Sequence, residues 1–183
     1  LYGGTELLIR KFLPDFNIQT GELNDGLNEQ SMLDSIRNAS KKGRVAMVFI
    51  ESPANPTNSL VDIKALNQVL DVIKSETGHR PISVCDNTLM GPIFQQVVPQ
   101  GIDIAMYSLT KYVGGHSDLV AGAVCGSIEM LRPVRATRGM LGLTLDPHSS
   151  WMISRSLETL NIRMQRSADS GYKVAQWIND NLY

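Results

Sequence analysis

"RVAMVFIES", residues 44–52, is apolar at consecutive positions from Val45 to Ile50, with no polar alternation before Glu51. A strand with one wet face alternates polar and apolar side chains; a run that stays apolar reads as a strand buried on both faces, as in a parallel sheet covered by helices. The flanks agree. Upstream, "EQSMLDSIRNASKKG" (29–43) has helical periodicity and stops at Gly43; downstream, "DIKALNQVLDVIKSETG" (62–78) opens on Asp62 as N-cap and closes on Gly78. "PISVCDN" (81–87) and "IDIAMYSL" (102–109) read as two further buried strands, with a short helical piece over about 92–98 between them. "DLVAGAVCGS" (118–127) reads as another strand, and "IEMLRPVRATRG" (128–139) and "PHSSWMISRSLETL" (147–160) as helices. Near the start, "TELLIRKFL" (5–13) predicts a helix and "FNIQTGE" (16–22) a short strand. Repeated strand–helix alternation predicts an α/β fold, a mostly parallel sheet flanked by helices on both faces.

The 183 residues suffice to bury a core as one domain. A formal net charge of -1 leaves no basic footprint, which argues against nucleic acid as a partner. No apolar run reaches the roughly 18 residues of a membrane span, and no signal peptide opens the chain, so no membrane partner is expected. Cys85 and Cys125 each sit in an apolar stretch, a pattern of free thiols in a reducing compartment; the cytoplasm is the expected location. The chain starts at Leu1 without an initiator Met and runs to Tyr183 inside the amphipathic stretch "SADSGYKVAQWINDNLY" (167–183), where Val174, Trp177, Ile178 and Leu182 recur at helical spacing. It is therefore expected to be part of a longer polypeptide.

In parallel α/β sheets, ligands bind beyond the carboxyl ends of the strands. Three neighbouring strands deliver chemistry-bearing residues there: Glu51 to Asn55 after the first, Asp86, Asn87 and Thr88 after the second, and Ser108, Thr110 and Lys111 after the third. A lysine amine, a carboxylate and short hydroxyls together suit pyridoxal phosphate, which needs a Schiff-base lysine, a partner for its pyridine nitrogen and donors for its phosphate. His79, His116 and His148 show no metal-ligand spacing, so no metal site is expected, and His116 beside Gly114 and Gly115 reads as a structural histidine in a tight loop. "GGHSD" is not a nucleotide-binding glycine loop, and no G-x-S-x-G elbow supports a hydrolase.

"ESPANPT" (51–57), "DNT" (86–88) and "YSLTKYVGGHSD" (107–118) resemble the sulfur amino acid branch of the fold-type I pyridoxal phosphate enzymes, and "LYGGT" (1–5) and "RSLETLNIRM" (155–164) follow the same family in the same order. That branch includes cystathionine γ-synthase, cystathionine γ-lyase, cystathionine β-lyase and methionine γ-lyase. The resemblance implies the large cofactor domain of an aspartate aminotransferase-like fold over 1–160, its N-terminal part missing. It implies a helix over 161–183 leading to a C-terminal domain outside this chain. It further implies that Lys111 forms the Schiff base and then moves protons between substrate carbons, and that Asp86 pairs with the pyridinium nitrogen. Ser108 and Thr110 would hold the phosphate and Thr88 would support the ring. Asn55 would lie near the cofactor's phenolic oxygen and the substrate carboxylate. Tyr2 would stack on the ring and act as acid or base when a leaving group departs. Glu51 is close by without an assigned role.

The expected reaction is γ-elimination from a sulfur amino acid. The alternatives are γ-replacement on an activated homoserine, as in a cystathionine γ-synthase, and a non-catalytic cofactor-binding relative. "ESPANPT" and "SRSLETLNIRM" look closer to γ-lyases, whereas methionine γ-lyases often carry Cys where Gly4 stands. No Lys, Asp or Ser/Thr of the motif is missing, as one would be in a non-catalytic relative. The resemblance also implies a homo-oligomer, a dimer of dimers or homotetramer, with each active site shared between subunits. The resemblance further implies that the arginine gripping the substrate carboxylate belongs to the C-terminal domain; Arg132, Arg135, Arg138 and Arg155 fall in predicted helices away from the strand ends.

Overall fold

The computed structural model of the chain describes residues 1–182. Strands β1 (Met47–Glu51), β2 (Ile82–Asp86), β3 (Ile104–Ser108) and β4 (Gly122–Gly126) form one sheet in the order β1-β2-β3-β4. The first three are parallel and β4 is antiparallel to β3. The reversal has a topological cause. Parallel neighbours need a crossover, supplied by helix α3 (Ile63–Thr77) between β1 and β2 and by the segment with short helix α4 (Gly91–Phe94) between β2 and β3. Between β3 and β4 there is only the non-helical stretch 109–121, so the chain returns beside β3 in the opposite sense.

Helix α2 (Glu29–Ser40) starts where the Asn28 side chain accepts a hydrogen bond from the Ser31 N–H, and its core face is Met32 and Ile36, one helical turn apart. In α3 the Asp62 side chain caps the Ala65 N–H, Leu66, Val69, Leu70 and Ile73 form the buried stripe, and Gly78 ends the helix at φ 75°. These two faces pack on Val48, Ile50, Cys85 and Ala105, one side of the sheet. Each fully buried aliphatic side chain there contributes roughly 1.5–3 kcal/mol of transfer free energy. Alternation sends the intervening residues the other way. Glu51 and Asp86 are register partners, Asp86 is opposite Met106, and Ser108 lies two residues on, so the polar strand ends share the face away from α2 and α3.

Helix α1 (Gly3–Leu7) continues through a π-helical turn over 8–12 and a 3₁₀ turn over 13–16, covering the helix expected at 5–13. The strand expected at 16–22 does not form. After the 3₁₀ turn Asn17 adopts φ 60°, and the following residues are irregular and largely exposed. Among the described residues they have no sheet neighbour to pair their backbone groups, and apolar content without a partner strand does not make a strand. β4 is an edge strand and largely exposed, whereas β1, at the opposite edge, and the internal β2 are mostly buried.

α5 (Ile128–Met140) and α6 (Pro147–Leu157) lie where expected. Helix α7 runs from Leu160 to Leu182, where a helix over 161–183 was expected; "NIRMQR" (161–166) forms its first turns, ahead of the amphipathic stretch, held by buried Leu160 and Met164. Tyr183, the last residue of the expected helix, lies outside the described residues. Leu160 and Met164 join Val113 and Ile153 in a second apolar cluster, which seats the segment after β3. Among the described residues, no helix is long and apolar enough to cross a membrane.

Candidate active site

The end of β2 carries the most constrained polar group. Asp86, 8% exposed, accepts two hydrogen bonds on Oδ1, from the Thr88 N–H at 3.0 Å and the Thr88 hydroxyl at 2.6 Å. Thr88 Oγ1 in turn accepts the Ser108 N–H at 2.8 Å. The hydroxyl proton of Thr88 is thereby committed toward the carboxylate, and β2 and β3 are tied together at their C-terminal ends. Asp86 Oδ2 has no hydrogen-bond partner among the described residues. Oδ2 is not among the buried atoms left without a partner, so it keeps access to solvent. One fixed oxygen and one bare oxygen suit a carboxylate that awaits a cationic N–H.

Behind Asp86, Asn87 is fully buried and fully bonded. Its amide N–H donates to the Met106 carbonyl at 2.9 Å, and its side-chain nitrogen donates to the Gln95 carbonyl at 2.7 Å, the Gly91 carbonyl at 3.2 Å and the Tyr107 hydroxyl at 3.2 Å. Its side-chain oxygen accepts from Gln95 Nε2, which also donates to the Ser52 carbonyl at the end of β1. This buried network joins the ends of β1, β2 and β3, and satisfied networks of this kind rigidify their surroundings.

Beyond β3 the chain coils tightly. The Lys111 N–H donates to the Ser108 carbonyl at 3.2 Å, the Gly114 N–H to the Leu109 carbonyl at 2.7 Å, and the Gly115 N–H to the Lys111 carbonyl at 2.7 Å. A Cβ on Gly114 would sit 2.8 Å from the Leu109 oxygen, and Gly115 has φ 77°, so the paired glycines are what allow the coil. The Lys111 side chain is exposed, with no hydrogen bond or ion pair to its ammonium among the described residues. Ser108 Oγ has no partner among the described residues, while Thr110 Oγ1 accepts the Ala121 N–H at 3.0 Å and donates to the Ala121 carbonyl at 3.3 Å. Ser108 and Thr110 line an open hollow of about 440 Å³ over β3 and β4, together with Val120 and Val124. Neither Asp86 nor Lys111 lines it, so it marks exposed sheet beside the polar cluster. His116 Nδ1 lies 2.7 Å from the Gly114 carbonyl, a local structural contact.

Tyr2 and Asn55 reach this edge through Glu51. The buried Glu51 carboxylate accepts the Tyr2 N–H on Oε2 at 2.6 Å and the Asn55 N–H on Oε1 at 3.0 Å. Because Glu51 is the register partner of Asp86, both backbones are anchored beside the Asp86 strand. The Tyr2 ring is half-exposed and lies over Gly4, where a Cβ would be 2.9 Å from Cε1. The Asn55 side chain is exposed on the "SPANP" turn, whose Ser52–Pro53 and Asn55–Pro56 bonds are cis. Direct hydrogen bonds therefore unite Asp86, Thr88, Ser108 and the Lys111 backbone, and Glu51 brings in Tyr2 and Asn55. The anchoring role of Glu51 and the buried Asn87–Gln95 network were not read from the sequence. The available signal for Glu51 was a charged residue ending an otherwise apolar strand.

The two thiols differ in kind. Burial, reinforced by the neighbouring Asp86 charge, pushes the Cys85 thiol up to about 12, whereas Cys125 is exposed on the edge strand. Below that value Cys85 stays protonated and unreactive. At pH 8, brief iodoacetamide treatment of the folded protein is expected to label Cys125 and spare Cys85, read by peptide mass mapping. Equal labelling of both would contradict the packing of β2 against α3.

The sequence profile described as Cys/Met metabolism PLP-dependent enzyme matches residues 1–182. The chain belongs to this family. It is similar to a cystathionine β-lyase of Lactococcus lactis, 35% identical over 179 residues, which cover 97% of this chain and 44% of that protein. It is also similar to an L-methionine γ-lyase of Fusobacterium nucleatum, 33% identical over 98% of this chain and 43% of that protein. Among solved structures, cystathionine γ-lyase from Lactobacillus plantarum, complexed with L-serine, superposes with a TM-score of 0.84 at 26% identity, covering 98% of this chain and 44% of that one. The chain thus spans less than half the length of these family members. Family membership accords with the mostly parallel α/β architecture.

Proposed function

We propose that the protein containing this chain is a carbon–sulfur lyase that carries out γ-elimination on a sulfur amino acid with pyridoxal phosphate bound at the ends of β2 and β3. The observation that carries this reading is Asp86: one oxygen is held by Thr88, the other is bare, and Thr88 also binds the strand that leads to Lys111. The donor set fits the cofactor. The bare Asp86 oxygen suits a protonated pyridine nitrogen, the unpartnered Ser108 hydroxyl and the Thr110 hydroxyl suit a phosphate, and the exposed Lys111 amine is free for covalent attachment.

When bound, pyridoxal phosphate supplies an electron sink that makes a substrate Cα–H acidic. Asp86 would hold the ring nitrogen's proton with its bare oxygen, and the Thr88 N–H and hydroxyl on the other oxygen keep the carboxylate aimed. With the cofactor held at this edge, the Lys111 amine would act as the positioned general base that takes the substrate Cα proton and redelivers it. Tyr2, anchored at its backbone by Glu51, offers its phenol to the departing sulfur. Asn55 is assigned to the substrate carboxylate side. A homo-oligomer with shared sites is part of this reading, as is a cofactor domain over 1–160 followed by a helix leading to a second domain.

The family members named above differ in where they cut, and "ESPANPT" with "SRSLETLNIRM" favours the γ side. Products decide. Cystathionine cleaved by γ-elimination yields cysteine, 2-oxobutanoate and ammonia, whereas β-elimination yields homocysteine, pyruvate and ammonia. The full-length protein is expected to release 2-oxobutanoate from cystathionine or methionine. Pyruvate as the sole oxo-acid would overturn the γ assignment. Consumption of an activated homoserine only in the presence of a thiol, with no oxo-acid, would favour the synthase reading instead.

A further inference from the structure

The mechanism above leaves Arg163 without a role, yet it is the most heavily bonded arginine beside the lysine segment. It lies in the first turns of α7 and reaches back to the coil that follows Lys111. Nη1 donates to the Tyr112 carbonyl at 2.5 Å, Nη2 to the Val113 carbonyl at 2.9 Å and the Ser156 carbonyl at 2.8 Å, and Nε to the Thr159 hydroxyl at 3.1 Å. It makes no ion pair with a carboxylate among the described residues. Its charge is instead spread over carbonyls, among them Ser156 in the last turn of α6, where the helix dipole favours a cation. The planar fork of guanidinium donors is what spans these acceptors at once; an ammonium presents a point charge.

The same placement of the guanidinium bears on the glycine pair. A Cβ on Gly115 would collide with Arg163 Nη1, so the second glycine of the pair serves two ends: it adopts φ 77° and leaves room for the guanidinium. Between the two, Val113 is buried against Ile153, Leu160 and Met164. The coil is thus seated by one apolar side chain and clamped by one guanidinium, immediately after the lysine.

We propose that Arg163 is a positioning residue for Lys111: by fixing the carbonyls of the two residues that follow the lysine, it sets where the amine can reach. The proposal rests on Lys111 being the residue that attaches the cofactor, and the test separates the two. Full-length wild-type protein and the variants Arg163→Met, Arg163→Lys and Gly115→Ala are stripped of cofactor and mixed with pyridoxal phosphate. The rate of borohydride-trappable attachment at Lys111 is followed by peptide mass mapping, with thermal unfolding measured in parallel. Ile153→Ala serves as the control, since it loosens the same apolar cluster without touching the clamp.

Attachment is expected to slow about tenfold or more in Arg163→Met and Gly115→Ala, within the range that misplacement of a reacting group produces. Arg163→Lys is expected to restore little of the rate, and Ile153→Ala to lower the unfolding temperature while attaching at close to the wild-type rate. A wild-type rate in Arg163→Met, or in Gly115→Ala if the former does not fold, would overturn the proposal. So would full rescue by Arg163→Lys, or equal slowing in Ile153→Ala. Wild-type protein that attaches cofactor at another lysine would overturn the assignment of Lys111 itself, and the positioning role with it.

Discussion

Lys111→Ala is expected to abolish turnover and the borohydride-reducible attachment of pyridoxal phosphate, while the protein remains folded. The side chain is exposed, and its ammonium makes no hydrogen bond or ion pair among the described residues. The coil it sits in is held by backbone hydrogen bonds, by the glycine pair and by Val113, all of which an alanine preserves. Non-covalent cofactor is expected to persist, because Asp86, Ser108 and Thr110 are intact. The loss falls on chemistry alone, so it should be complete within detection rather than partial. A variant that retained both turnover and a reducible linkage would remove Lys111 from the mechanism.

Asp86→Asn is the second large effect, expected to lower activity by roughly a hundredfold or more, as deletion of a key electrostatic partner does. The substitution is close to isosteric. The amide oxygen can still accept both Thr88 hydrogen bonds, so the tie from β2 through Thr88 to the Ser108 N–H survives. What changes is the bare position, where an N–H donor replaces a carboxylate oxygen. A protonated ring nitrogen loses its counter-charge there, and the acidity of the substrate Cα–H falls with it. Exchange of the Cα proton with deuterated solvent isolates this step from later ones. Exchange at a near-normal rate in Asp86→Asn would contradict the role.

The parallel core of the sheet was legible because burial on both faces leaves a plain record: "AMVFI" and "ISVC" lack polar alternation, and Asp62 and Gly78 punctuate the helix between them. The direction of β4 was not, since strand polarity depends on what the connection does in space and residues 109–121 carry no helical period to mark its absence as decisive. "FNIQTGE" failed as a strand for a related reason: its composition is permissive, and only a partner strand makes a strand. At the site, the lysine, the aspartate and the hydroxyls were legible as residue types following strands, and the motif resemblance ordered them. The supporting contacts were not. Glu51 binds backbone N–H groups 49 residues upstream and 4 residues downstream, and Arg163 reaches carbonyls some 50 residues back. Bonds between a side chain and distant backbone leave no spacing in the sequence, because any residue at the receiving end supplies the same amide or carbonyl.

The central claim is that the amine of Lys111 holds the cofactor, and it is tested most directly by trapping it. Purified full-length protein incubated with pyridoxal phosphate, reduced with borohydride and digested should yield one pyridoxyl-modified peptide, carrying the label on the lysine of "YSLTKYVGGHSD" (107–118). Label on any other lysine with Lys111 unmodified, or no covalent label in protein that binds and turns over substrate, would contradict the account.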